Sequence, residues 1–223
     1  TRFVIGIMNM IAVNEVRVCM NEAGARRQPF LFGVDFELSE GFFVLDPLGQ
    51  QEILFEVGGV SNSPMREGIS GVLSEKMFSM NPMAYEVYQE KFAVVREGVA
   101  RGDSFLLNLT VATGLDTNWT LEEIFHRAQS PYRLLIPGRF VCFSPEIFVR
   151  MDEGMISSYP MKGTIDASVP DAERVILEDY KERAEHYTIV DLIRNDLNRV
   201  AENVRVPRFR YIDRLHTSNG EVL

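Results

Sequence analysis

Two extended, apolar-rich runs, "FVCFSPEIFVRM" (140–151) and "MISSYPMKG" (155–163), are separated only by Asp152, Glu153 and Gly154. So short a connection between two β-type runs demands an antiparallel hairpin, and the glycine suits the left-handed position of a three-residue loop. With that loop Met151 faces Met155, and counting back pairs Glu146 with Pro160 and Ser144 with Lys162. Glu146 and Lys162 then share one face as diagonal neighbours about 7 Å apart. A two-residue loop would put them on opposite faces, so the chemistry depends on register.

A carboxyl and an amine facing one pocket can act as acid and nucleophile, provided burial or a neighbour makes the amine reactive. The same pair can equally be a cross-strand ion pair worth a fraction of a kcal/mol. Lys162 is notable for its mount, a flexible charged side chain between Pro160 and Gly163.

Along the rest of the chain, residues 29–38 and 52–60 are rich in aromatic and β-branched types and read as strands of a small N-terminal sheet. Residues 61–71 read as a loop. Apolar side chains at helical spacing (Tyr85, Tyr88, Phe92, Val95, Val99) predict a helix over 80–103, stopped by Gly102-Asp103. A strand over 104–113 follows, then a helix over 118–129 with Thr120 and Glu123 as a capping box. Beyond the hairpin, 170–200 reads as helical and 204–215 as a strand. Ser218-Asn219-Gly220 is a turn signal, and residues 221–223 look like the opening of a further strand.

This order predicts an α+β fold with large mixed or antiparallel sheets flanked by helices, in one domain over 1–223. Its N-terminal strands occupy about 1–60 and the first part of a catalytic fold 80–223. The apolar run 3–13 imitates a signal peptide but lacks a small-x-small site and is too short to span a bilayer, so it reads as a buried first element.

A second constellation lies in "DYKERAEHYTIVDLIRNDLNRVAENV" (179–204). Glu182 and Glu185, three apart, fall on one face of a helix and repel unless a cation joins them. Oxygen ligands of this kind suit Mg²⁺, which takes one or two carboxylates and keeps several waters. The alternative is a solvated acidic face. Asp191, Arg194, Asn195 and Asp196 are more polar groups than a core helix tolerates unpaired. His186 is open between ligand, hydrogen-bond donor and core residue.

Lys and Arg total 23 against 32 Asp and Glu, a net charge of -9, which argues against non-specific binding to nucleic acid or to an anionic membrane. Cys19 and Cys142, far apart in sequence, fit reduced thiols in a cytoplasmic protein. Neither nucleotide-binding glycine patterns nor a serine-nucleophile elbow occurs.

In this order and at these spacings "GDSFLLNLT", "FSPEIFVR", "YPMKGT" and "ERAEHYTIVDLIRNDLNRVA" resemble the chorismate-utilising enzymes, most closely the branch of aminodeoxychorismate synthase component I. The resemblance runs from about Tyr85 to the C-terminus and implies the fold of anthranilate synthase component I. It implies that Lys162 attacks ring carbon 2 of chorismate while the 4-hydroxyl leaves, with Glu146 as general acid. Gly163 and Thr164 are implied to contact the substrate. Glu185 is implied to bind Mg²⁺, with Glu182 supporting the metal or its waters. A glutamine amidotransferase subunit is the implied ammonia source.

Anthranilate synthase, the alternative within the family, normally carries alanine where Lys162 stands. Isochorismate and salicylate synthases place a lysine, and aminodeoxychorismate synthases glutamine, where this chain has Leu106. The family pattern continues past Leu223 with further carboxylate-binding and metal-binding segments. A molecule ending at Leu223 is therefore expected to bind chorismate and Mg²⁺ poorly and to be inactive, and one that continues to work. A different class of reading is a non-catalytic binding or scaffold fragment that pairs through an open sheet edge.

Overall fold

The computed structural model describes residues 10–63, 77–217 and 220–223, which fall into two compact units, Thr1–Ser144 and Pro145–Leu223. Most of the 3–13 run and of the 61–71 loop lies outside the described residues.

The first unit begins with β1 (Ile11–Ala12) and α1 (Val13–Ala25), a helix absent from the sequence reading. Val16 and Ala23, seven residues apart, turn one face of α1 inward and are buried. A three-stranded sheet follows in the order β1, β3 (Glu40–Leu45), β2 (Phe30–Val34). Gly33 stands directly opposite Phe42, and the missing β-carbon makes room for the phenyl ring. The strand expected over 29–38 therefore ends at Val34 and turns back into β3.

The strand expected over 52–60 does not join that sheet. It is β4 (Leu54–Val57), which pairs with β5 (Val60–Ser61) on one side and β8 (Tyr132–Ile136) on the other, and β8 pairs with β9 (Phe140–Phe143). Phe42, Ile53 and Ile136 form a buried cluster on which Leu31, Val44 and Leu134 pack. Asn62, the buried polar side chain here, is fully engaged. Its Oδ1 accepts from the Phe55 N–H at 2.9 Å, and its Nδ2 donates to the carbonyls of Gln50 at 2.9 Å and Ile53 at 2.7 Å.

Between these strands, β6 (Phe78–Asn81) pairs with β7 (Gly114–Thr117), and α2 (Tyr85–Arg101) ends at Gly102, whose φ of 85° is the left-handed cap expected of it. The strand expected over 104–113 does not form. No described segment pairs with that stretch, and Phe105, Leu106 and Leu107 are exposed; a strand without a neighbour leaves its peptide groups to water. α3 (Leu121–Arg127) carries the expected capping box between Thr120 and Glu123, and its Phe125 is fully buried.

In the second unit β10 (Arg150–Asp152) and β11 (Met155–Ser157) form the expected hairpin, followed by α4 (Ala172–Glu178) and α5 (Tyr180–Leu197). The helical stretch 170–200 breaks at Asp179, whose side chain accepts from the Glu182 N–H at 2.8 Å and caps α5. The strand expected over 204–215 is irregular chain up to β12 (Leu215–Thr217), which pairs with β13 (Gly220–Val222), the strand foreseen at the C-terminus. Part of the turn between them lies outside the described residues.

Among the described residues every pairing is antiparallel and the largest sheet has four strands, so the mixed α/β character holds while the large sheet gives way to several small ones. Among the described residues no helix is long and apolar enough to cross a membrane, and Cys19 and Cys142 are both free thiols.

Candidate active site

Asp152 pairs with Met155 across a loop of two residues, Glu153 and Gly154, with φ of 47° and 76°. This is the primed-turn conformation that matches strand twist. The three-residue loop expected from the sequence, with Met151 facing Met155, is therefore corrected by one position: Met151 faces Ile156. Continued backwards, this register brings Glu146 opposite Met161 rather than Pro160. There the Glu146 carboxylate accepts a long hydrogen bond, 3.4 Å, from the Met161 N–H. Ser144 does not pair with Lys162; its N–H donates to the Tyr132 carbonyl at 2.8 Å, within the first unit.

Glu146 and Lys162 consequently follow each other along the hairpin without sharing a face, and no ion pair joins them. Both are exposed. Lys162 has no carboxylate partner among the described residues. Its segment is held on both sides, by the Glu146 contact at Met161 and by a short ladder further on. In that ladder Ile165 and Leu223 exchange backbone hydrogen bonds of 3.1 and 2.9 Å, and the Ala167 N–H donates to the Glu221 carbonyl at 2.9 Å.

Lys162, Gly163 and Thr164 line an open pocket whose other walls include Glu182, His186 and Arg210. Gly163 has φ of 80°, and a β-carbon there would stand 3.1 Å from Ile176 and 3.2 Å from Glu182. The glycine is thus required twice, by its backbone angle and by the approach of α4 and α5.

Glu182 and Glu185 lie on one face of α5, as their spacing predicts, and both are half-buried. What joins them is Lys181, a residue that carried no weight in the sequence reading. Its Nζ is 3.0 Å from Glu182 and 3.3 Å from Glu185. The hydrogen bonds it donates to Glu182 and then to Glu185 hold its ammonium pKa above the ordinary lysine value. The Lys181 to Glu185 spacing of four was the signal that could have found it. The donor chemistry fits a hard divalent cation, since two carboxylates on adjacent turns already gather around one positive charge. Among the described residues no third acidic, histidine or cysteine side chain joins them.

Burial, and then the nearby Arg210 charge, push the His186 imidazole pKa down. Its ring packs 5.3 Å from that of Phe209, and Arg210 donates to the Leu177 backbone carbonyl. Arg210 lines the pocket from a stretch whose alternation in the sequence reads as a strand over 204–215 and so carries no site signal. Asp191, Arg194 and Asn195 do pair with one another, at 2.7 and 3.4 Å, on a face of α5 that is exposed rather than core.

A family model described as "chorismate binding enzyme" matches residues 64–218. A protein of Haemophilus influenzae named "Uncharacterized PabA-like protein" is 45% identical over 204 residues, 91% of this chain and 61% of its own length. Aminodeoxychorismate synthase component 1 of Klebsiella aerogenes is 34% identical over 146 residues, 59% of this chain and 32% of its own length. Anthranilate synthase component 1 of Aquifex aeolicus is 46% identical over 78 residues, 32% of this chain and 16% of its own length. This chain therefore spans less than two thirds of the length of each of these relatives. No solved structure matches it.

Proposed function

The chain belongs to the family of chorismate-binding enzymes, and on that premise we propose that its protein acts as an aminodeoxychorismate synthase component I. The reaction would convert chorismate and ammonia to 4-amino-4-deoxychorismate, towards para-aminobenzoate and folate, in the cytoplasm. The family match crosses the boundary between the two units, which supports reading both as parts of one chorismate-binding-type domain. The relatives named for this activity support the reading at component level.

The observation that carries it is Lys162, an amine free of ion pairs among the described residues, on a pocket wall and fixed at both flanks of its segment. An amine without a carboxylate partner has no ion pair to break before it attacks, closure over the bound substrate would supply the burial that makes it reactive, and a fixed one loses little orientation on the way to the transition state. Lys162 Nζ would bond to ring carbon 2, the ring double bonds would shift, and the bond from carbon 4 to its hydroxyl would break. Glu146, whose role as general acid rests on the family resemblance, would have to turn from the Met161 N–H towards the pocket that Lys162 lines, and would protonate the departing hydroxyl, which leaves as water. Ammonia would then bond to carbon 4, the double bonds would shift back, and the bond from Lys162 to carbon 2 would break. The proton shed by ammonia would return the lysine and glutamate to their starting states, so one water is lost and one amino group gained.

Gly163 and Thr164 would hold the substrate through backbone and hydroxyl. Glu185 and Glu182 would hold Mg²⁺, which when bound supplies positive charge for the substrate's carboxylates. The ammonia would come from glutamine through a separate amidotransferase subunit.

A second reading, anthranilate synthase component I, is favoured by the 46% identity over 78 residues to the Aquifex protein. Product identity decides between them. The full-length protein incubated with chorismate, Mg²⁺ and an ammonium salt should yield 4-amino-4-deoxychorismate by mass-resolved chromatography, whereas anthranilate would transfer the assignment to the second reading.

A further inference from the structure

The Lys181 ammonium occupies the position between Glu182 and Glu185 where a shared cation would sit, 3.0 and 3.3 Å from their oxygens. We propose that Lys181 is a built-in competitor for the divalent cation, neutralising the two carboxylates until the metal displaces it, and so sets the affinity of the site. The inference rests on the reading that Glu182 and Glu185 hold the metal.

Three features make displacement feasible. The lysine side chain is 71% exposed, so an ammonium that swings away enters water rather than a packed interior. Its partners are only 25% and 30% exposed, so without a cation their two negative charges would face each other at reduced solvent screening. Glu182 is also held from behind: the Asp179 cap fixes its backbone N–H, and its carboxylate lies against Gly163. The carboxylates stay while the lysine moves. Exposed pairs of this kind are weak, so the competition tunes affinity rather than abolishing binding.

The test is direct titration of Mn²⁺ into the full-length protein, free metal being counted by its paramagnetic resonance signal without chorismate present. Lys181→Gln should bind Mn²⁺ more tightly than the wild type, on the order of threefold to tenfold. Lys181→Arg, which keeps the charge, should stay near the wild type, and Glu185→Gln should lose binding. Equal affinity in Lys181→Gln and wild type, with Glu185→Gln still defective, would overturn the competitor role and leave the metal reading intact. Unchanged Mn²⁺ binding in Glu185→Gln, or no binding by any variant, would overturn both. Far-ultraviolet circular dichroism of each variant confirms that the helix persists.

Discussion

The carboxylate of Glu182 lies 3.2 Å from the place a β-carbon on Gly163 would take, so the lysine-bearing loop and the acidic helix touch at a residue without a side chain. Gly163→Ala should therefore be costly on two counts, the left-handed backbone at φ 80° and the collision with Ile176 and Glu182. The backbone alone accounts for roughly 1–2 kcal/mol. Denaturant unfolding should show a loss at least this large, and Mn²⁺ affinity should change along with it because Glu182 must shift. Wild-type stability and wild-type metal binding together would mean that the contact is not made in solution.

Asn62 should be the most sensitive polar position of the first unit. Its amide ties residues 50, 53 and 55 together, and truncation takes the partner from the Gln50 carbonyl and the buried Phe55 N–H, while the Ile53 carbonyl keeps its 3.0 Å hydrogen bond from the Gln50 side-chain amide. Asn62→Ala should destabilise by about 2–3 kcal/mol, read from the urea midpoint at constant slope. A change below about 0.5 kcal/mol would show that water replaces the amide there.

What could be read from the sequence was whatever local chemistry decides. The Gly102 stop, the Thr120–Glu123 box and the Glu182–Glu185 face each depend on residues within four positions of one another, and each is present. The misreadings share another cause. The 104–113 run has strand composition, yet no described segment pairs with it, and composition cannot supply a neighbour. The hairpin loop was misjudged by one residue because Asp152 fits both a loop and a strand end; only pairing with Met155 settles it, and that one residue separates Glu146 from Lys162 by face. Helix α1 carries weak local signals: Ala12 caps it without a side-chain hydrogen bond, and only Val16 and Ala23 mark its buried stripe. Hairpin and helical spacing drew out Lys162 and the acidic pair, and the family resemblance added their implied roles, while Lys181 emerged from its distances to both carboxylates.

The capping box of α3 gives a smaller, independent check. Thr120→Ala removes the hydroxyl that accepts from the Glu123 N–H at 3.1 Å. It should cost about 1 kcal/mol, and Thr120→Ser should restore most of it. Failure of serine to rescue would point to the threonine methyl rather than the cap.

Burial pushes the Cys142 thiol pKa above its ordinary value, against a smaller opposing effect of the Leu134 backbone. A raised thiol binds its proton more tightly in the folded than in the unfolded state. Its contribution to stability is therefore present below the ordinary thiol range and is lost as pH rises through the folded value. In a Cys19→Ser background, the rate of Cys142 alkylation by iodoacetamide should reach half its maximum at a higher pH than that of a small thiol. A midpoint at or below the small thiol's would contradict the burial.

The reading stands or falls on the bond that Lys162 is proposed to form. With chorismate and Mg²⁺ supplied and ammonia withheld, the full-length protein quenched in acid should gain the mass of chorismate less one water, located on the peptide containing Lys162 and absent from Lys162→Ala. An unmodified wild-type mass, together with a Lys162→Ala variant that still makes 4-amino-4-deoxychorismate at the wild-type rate, would contradict it.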